Sequence, residues 1–376
     1  MKLIILSAAC ISLYFLLGVP AAQAQAPNYK FDPDWPQLPL PNQWWMQGVT
    51  GLYVDNDDNI WVLNRPSNLS NTENYAQLDP PVAECCVAPP AVIAFDIDGN
   101  VIQSWDTQEG HGMMVDNDGF VWIGSDTVRK FTSDGQLVAT IERVPEADPP
   151  EGKYPPDLEI IVDQIEEVRA DETARELYTI DNYLNGRVMV FDMDTLEFKR
   201  GWGAYGKPLS EIGGATTDGG VTTDGGGVAF YSAESSERQI DTQAPDFVGH
   251  VTIGLANDGL VYVADRRGNR IQVFDTRGEF QKEFYLAADT RQRGSTGGVA
   301  FSHDAEQAYL IIPDIQNNTI WILNRETGAV VNRVGSAGDN GGQFHGLHMV
   351  DIDSHGNIYT GEVQNGERVQ RFVLVD

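Results

Sequence analysis

Three histidines occupy corresponding points of three internal repeats, in Gly110-His111-Gly112-Met113-Met114-Val115-Asp116, Gly249-His250-Val251-Thr252-Ile253 and Leu347-His348-Met349-Val350-Asp351-Ile352-Asp353. Each opens a strand-like run that meets a turn (Asp118-Gly119, Asp258-Gly259, His355-Gly356) and then a second strand. The chain has only six His in 376 residues. Repeats set around an axis bring equivalent positions together on it. Three imidazoles meeting there supply the ligand count of a catalytic zinc with one position left open. A lone histidine in such a strand is ordinarily structural, so it is the equivalence of the three that carries the reading. His250 stands about one residue further from its turn than the other two. One residue flips the face of a strand, so a bulge is expected to aim it inward. His303 and His355 fall in turns and are expected in solvent, while His345 is close enough to His348 to support it from behind.

The elements that position these residues are repeats of one unit: apolar strand, Asp/Asn-Gly turn, aromatic-rich strand, short gap, third strand and second turn. The first unit runs from Val49-Thr50-Gly51-Leu52-Tyr53-Val54 through Ile60-Trp61-Val62 to Val92-Ile93-Ala94-Phe95 and Val101 to Trp105. Second and third strands of later units are seen at 120–123 and 128–131, 176–181 and 187–191, 260–265 and 269–274, 308–312 and 319–323, and 357–360 and 368–372. No segment keeps a helical period. Six such units predict an all-β fold, a six-bladed β-propeller over residues 27–376, with insertions at about 66–90 and 209–245. The last unit stops after its third strand, so the stretch around Tyr29-Lys30-Phe31 is expected to supply the fourth and close the ring.

Residues 1–26 read as a cleaved signal peptide: a cationic start, an apolar run from Leu3 to Leu17, and Ala22-Gln23-Ala24 as a small-x-small site. An extracytoplasmic location, periplasmic or secreted, follows. No later segment has the length and apolarity of a membrane span. A formal net charge of −30 argues against nucleic acid as a partner. Past the leader only Cys85 and Cys86 remain, adjacent, and in an oxidising compartment they are expected to bond to each other and pin a loop.

The motifs resemble those of NHL-type propellers, and in particular the peptidyl-α-hydroxyglycine α-amidating lyase domain of peptidylglycine α-amidating enzymes. The resemblance spans nearly the whole chain after the leader, at low similarity. It lies in Leu63-Asn64-Arg65, Gly110-His111-Gly112, Ile180-Asp181-Asn182-Tyr183, His250, Ala264-Asp265-Arg266-Arg267-Gly268-Asn269-Arg270-Ile271-Gln272 and His348, in the family's order. It implies zinc held by His111, His250 and His348, with Tyr183, Arg65 and Arg266 as catalytic residues. The implied substrate is a carbinolamide bearing a carboxylate, small or peptidic, cleaved to an amide and glyoxylate. The chemistry is coherent. A phenol's pKa, near 10, falls beside zinc and a guanidinium, and Arg forks suit a carboxylate. The family also carries an axial calcium bound by an Asp after the last zinc His. Met349 stands there, which counts against that calcium. The other reading is a non-catalytic propeller whose faces bind a protein, peptide or glycan.

Overall fold

The computed structural model describes residues 26–69, 73–144, 157–161, 164–181, 186–212, 244–363 and 365–375. The expected leader up to residue 25, Tyr183, and the middle of the second insertion (213–243) lie outside them. The described residues form six four-stranded antiparallel sheets, a six-bladed β-propeller. Blade one is β2 (Gly48–Val54), β3 (Ile60–Arg65), β4 (Val92–Phe95) and β5 (Val101–Trp105). Blade two is β6 (Met113–Val115), β7 (Val121–Gly124), β8 (Val128–Phe131) and β9 (Leu137–Thr140). Blade three is β10 (Ile165–Asp171), β11 (Glu176–Asp181), β12 (Arg187–Asp192) and β13 (Phe198–Trp202). Blade four is β14 (Val251–Leu255), β15 (Leu260–Asp265), β16 (Arg270–Asp275) and β17 (Phe280–Tyr285). Blade five is β18 (Ala300–Phe301), β19 (Tyr309–Asp314), β20 (Thr319–Asn324) and β21 (Val330–Val334). Blade six is β22 (Leu347–Ile352), β23 (Ile358–Glu362) and β24 (Val369–Val375), completed on its outer side by β1 (Asn28–Asp32). Tyr29 pairs with Leu374 and Phe31 with Phe372, and Arg371 grips the Asp32 carboxylate at 2.6 Å.

Two side-chain devices explain the repeat. In blades one, two and six the Asp that opens the first turn accepts the N–H of the residue four ahead and the side-chain donor of the aromatic six ahead. Asp55 takes Asn59 N and Trp61 Nε1, Asp116 takes Phe120 N and Trp122 Nε1, and Asp353 takes Asn357 N and the Tyr359 hydroxyl. The turn is thereby capped and the aromatic is locked into the blade. Neighbouring blades are stapled by an outer-strand aromatic on the next blade's second-turn glycine. Trp105 covers Gly135 (φ 88°) and Trp202 covers Gly278 (φ 87°), where an added Cβ would lie 2.6 and 2.5 Å from the indoles. Glycine alone tolerates both that backbone and that approach.

The first strand of every blade lies nearest the axis and begins on one face. Loops between second and third strands, and those joining one blade to the next, open on that same face. The 66–90 segment is one of them. It carries the bonded Cys85–Cys86 pair and is tied to the body by a Trp44–Val87 bridge and a Trp45 N–H to Val87 carbonyl hydrogen bond. No helix among the described residues is long and apolar enough to cross a membrane.

Candidate metal centre

Five residues before the turn position of each inner strand, the chain reaches the axis. That spacing gives Thr50 (before Asp55), His111 (Asp116), Glu166 (Asp171), Gly297 (Ser302) and His348 (Asp353), with His250 six before Ala256. Contacts join neighbouring blades at this level. Thr50 Oγ1 donates to Gly110 O, and His111 Nδ1 meets Glu166 O at 2.7 Å. His250 Nδ1 lies 3.1 Å from Glu166 Oε1, and Thr252 Oγ1 donates to Gly297 O. Gly346 N–H donates to Asn318 Oδ1, and His348 Nδ1 meets Val49 O at 3.2 Å. The three histidines therefore gather around the axis, and blade three adds a carboxylate that the histidine spacing did not single out.

The strands reach this level by local irregularities. In blades one, three and six the register of first against second strand slips by one residue, at Thr50, at Glu166–Glu167 and at His348. Such bulges re-aim a side chain. The bulge expected for His250 is not where the extra residue is absorbed. β14 pairs with β15 in unbroken register, and His250 stands just before it with φ 53°, in the left-handed region, after Gly249 at φ 129°. The surplus residue is taken up by this turn, which a histidine tolerates better than a branched side chain would.

What holds that turn is a buried ion pair at the top of the blade. Asp265 and Arg270 have fully buried side chains 3.0 Å apart. The Asp265 carboxylate accepts the N–H groups of Val248 and Gly249, and the Arg270 guanidinium donates to the carbonyls of Ala244 and Asp246. The pair thus grips the chain immediately before His250. Blade three repeats it with Asp181 and Arg187, which donates to Leu158 O and Ile160 O ahead of Glu166. In blade six Glu362 and Arg368 do the same, with Glu362 accepting His345 N–H.

The protonation pattern follows from the partners. A carbonyl oxygen only accepts, so the Nδ1 of His111 and of His348 each carry hydrogen. In neutral rings the Nε2 atoms are then lone-pair sites. Those two atoms face each other at 3.3 Å, with the rings nearly perpendicular. Burial pushes all three imidazoles below their usual range, His250 to about 3, with the Arg266 charge adding to the effect at each. Burial alone would raise the Glu166 carboxyl; protons on the neighbouring His250 and His111 rings, together with the Arg266 guanidinium, lower it well below its ordinary value, and with both rings neutral Arg266 is the cation that remains beside it. Two opposed lone pairs beside a buried carboxylate make a site that a cation stabilises. Tetrahedral donors about 2.1 Å from a zinc are themselves about 3.4 Å apart, close to the Nε2 separation. Nδ1–H to carbonyl bonds are the usual way a metal-binding histidine is oriented. The donor set fits zinc in these respects. The contacts run as a chain, His348 to His111 to Glu166 to His250. Among the described residues no three His, Cys, Asp or Glu side chains already converge on one point.

Arg65, at the end of β3, donates to Gly110 O at 3.2 Å, and its charge reaches His111 and His348. Arg266 is buried, with Nε donating to Arg293 O, and its charge reaches all three imidazoles and Glu166. Tyr183 lies outside the described residues. β11 ends at Asp181, which pairs with Ile165. Met349 is packed with Val49 and Leu52 and offers no carboxylate to the axis. One layer below the histidines, Arg169 donates to Glu167 Oε1, Met113 O and Val168 O, so the chain supplies its own cation there. His345 is on the surface, 2.8 Å from Asp339, and does not support His348.

The His250 environment sets a pH dependence. Its folded pKa lies below the value near 6.5 of an unfolded histidine, so under about pH 6.5 the unfolded chain takes a proton that the fold refuses. Stability from this group therefore falls as pH drops toward 3. His250→Asn removes the effect. In metal-free protein at pH 4.5 the variant should gain roughly 2–3 kcal/mol on the wild type compared with their difference at pH 7.5, measured by denaturant titration. A pH-independent difference would show that the ring accepts its proton in the folded state.

No family model matches the chain, and no curated protein matches it. Among solved structures it is similar to a structural genomics protein of unknown function from Bacteroides thetaiotaomicron, solved at 1.70 Å. The two share a TM-score of 0.54 and 16% identity, covering 88% of this chain and 70% of the other. A likeness at that identity is one of fold, and fold does not fix chemistry.

Proposed function

We propose that this propeller is a zinc-dependent lyase cleaving the C–N bond of a small or peptidic carbinolamide that bears a carboxylate. The observation that carries the reading is the pair of opposed Nε2 lone pairs of His111 and His348, each ring oriented by a backbone carbonyl. His111, His348 and His250 would hold the metal. When bound, zinc makes a neighbouring hydroxyl more acidic. Arg65 and Arg266 place positive charge by the imidazoles, where a substrate carboxylate would dock. On the resemblance set out above, Tyr183 accepts the hydroxyl proton. The electrons of that O–H bond become a carbonyl, the C–N bond breaks, and the departing nitrogen takes a proton. R-CO-NH-CH(OH)-COO⁻ gives R-CO-NH₂ and glyoxylate, with atoms and charge balanced. The site faces a medium outside the cytoplasm, as the leader-like first residues suggest.

The test uses purified full-length protein and an N-acyl-α-hydroxyglycine. Elemental analysis should give about one zinc per chain, and glyoxylate should appear with saturable kinetics. Arg266→Met should raise KM about 10- to 100-fold, the worth of one charge-assisted hydrogen bond. Zinc-loaded protein that releases no glyoxylate at any substrate concentration would exclude the lyase, and a zinc-free wild type would favour a binding module.

A further inference from the structure

We infer that Glu166 is a fourth protein donor to this metal, making the site three imidazoles and one carboxylate. The inference rests on the metal reading above and extends it to a residue on no histidine repeat. Glu166 holds the blade-three place on the axis, five residues before Asp171, as His111 precedes Asp116 and His348 precedes Asp353. The slip in register at Glu166–Glu167 puts it where straight pairing would not. Its side chain is 1% exposed, and Oε1 meets no hydrogen bond of good geometry although His250 Nδ1 is 3.1 Å away. Oε2 is 3.9 Å from His111 Nε2, and that nitrogen is 3.3 Å from His348 Nε2. Donors about 2.1 Å from one ion stand roughly 3–4 Å apart, so each neighbouring pair in this chain is spaced as two donors to one ion would be, the carboxylate meeting His250 through Oε1 and His111 through Oε2. A buried carboxylate is costly unless cations offset it, and a divalent ion between Glu166 and the neutral imidazoles would add to the Arg266 charge that already reaches it.

The consequence concerns what the site can accept. Three neutral imidazoles and one carboxylate leave a dication with a net charge of about +1, which still attracts an anionic substrate. They also leave no vacancy in a four-coordinate shell, so a substrate hydroxyl must enter as a fifth donor. A nitrogen-rich set with one hard oxygen accommodates cobalt as well as zinc.

Cobalt(II) is therefore the probe, added to metal-free wild type, Glu166→Gln, Glu166→Asp and His111→Ala. Glu166→Gln keeps the shape but removes the charge. It should change the visible d–d bands and weaken cobalt binding at least 10-fold, while Glu166→Asp keeps a wild-type-like band pattern. Wild-type bands and affinity in a folded Glu166→Gln protein would overturn the assignment. If that variant does not fold, difference infrared spectroscopy of zinc-free against zinc-loaded wild type decides. A shifted carboxylate stretch supports the donor role, and its absence overturns it. Wild type that binds neither ion defeats the inference as well, but through the metal reading, and is told apart because no variant then differs from it.

Discussion

On the proposed zinc reading, replacing His111 with alanine should abolish metal binding. Zinc per chain, measured after gel filtration against a weak chelator, should fall from about one to near zero. Affinity should drop by more than the roughly 100-fold that loss of an outer hydrogen-bond partner costs. His111 is at the crossing of the site. Its Nε2 faces His348, its Nδ1 is tied to the Glu166 carbonyl, and its ring lies within 4 Å of the Glu166 carboxylate. Removing it deletes a donor and unties the residue that reaches His250. Thermal stability in excess zinc should fall as well, because a ligand at 1,000 times its Kd contributes about 4 kcal/mol. His345→Ala is the control, since that ring pairs with Asp339 at the surface. Unchanged zinc content in His111→Ala would mean that the imidazoles hold each other by hydrogen bonding alone.

Arg270→Met should cost about 3–5 kcal/mol, the usual penalty for leaving half of a buried pair, and lower Tm by about 5 °C. The guanidinium and its Asp265 partner are both fully buried. Burial raises the Asp265 carboxyl, and Arg270 opposes that rise, so without the arginine the acid is left unmatched. The carbonyls of Ala244 and Asp246 lose their donors too. A second change, Asp265→Leu in the same chain, should restore part of the stability because no lone charge remains. Metal affinity should not recover with it, because the N–H groups of Val248 and Gly249 then have no acceptor to set the turn at His250. Recovery of both together would mean that the ion pair serves the blade alone.

Most of the architecture was legible in the sequence because its rules are local. In blades one, two and six an Asp six residues before a Trp or Tyr, with a tight turn between them, specifies the first hairpin. The missing outer strand of blade six pointed to the Tyr29 stretch, and β1 is there. The inner strand of blade three was not legible. Ile165–Asp171 reads Ile-Glu-Glu-Val-Arg-Ala-Asp, and its three charged residues before Ala170 hide the apolar alternation of a buried strand. They are charged because they line the axis. Glu166 faces the histidines, and Glu167, which burial pushes up to about 7, pairs with Arg169 beneath them. The five-residue spacing to Asp171 would have revealed Glu166 had the axis been read as six places rather than three histidines. The left-handed turn at His250 was out of reach for another reason. A surplus residue demands a detour, but only distant partners such as Asp265 decide where the detour falls.

The double grip of Glu166, main-chain oxygen on one imidazole and side chain beside another, makes two imidazoles mechanically dependent on one residue. A small rotation of blade three would carry both rings with it. The two rings would then shift as a unit rather than one at a time, and with them the spacing of any donor set they form.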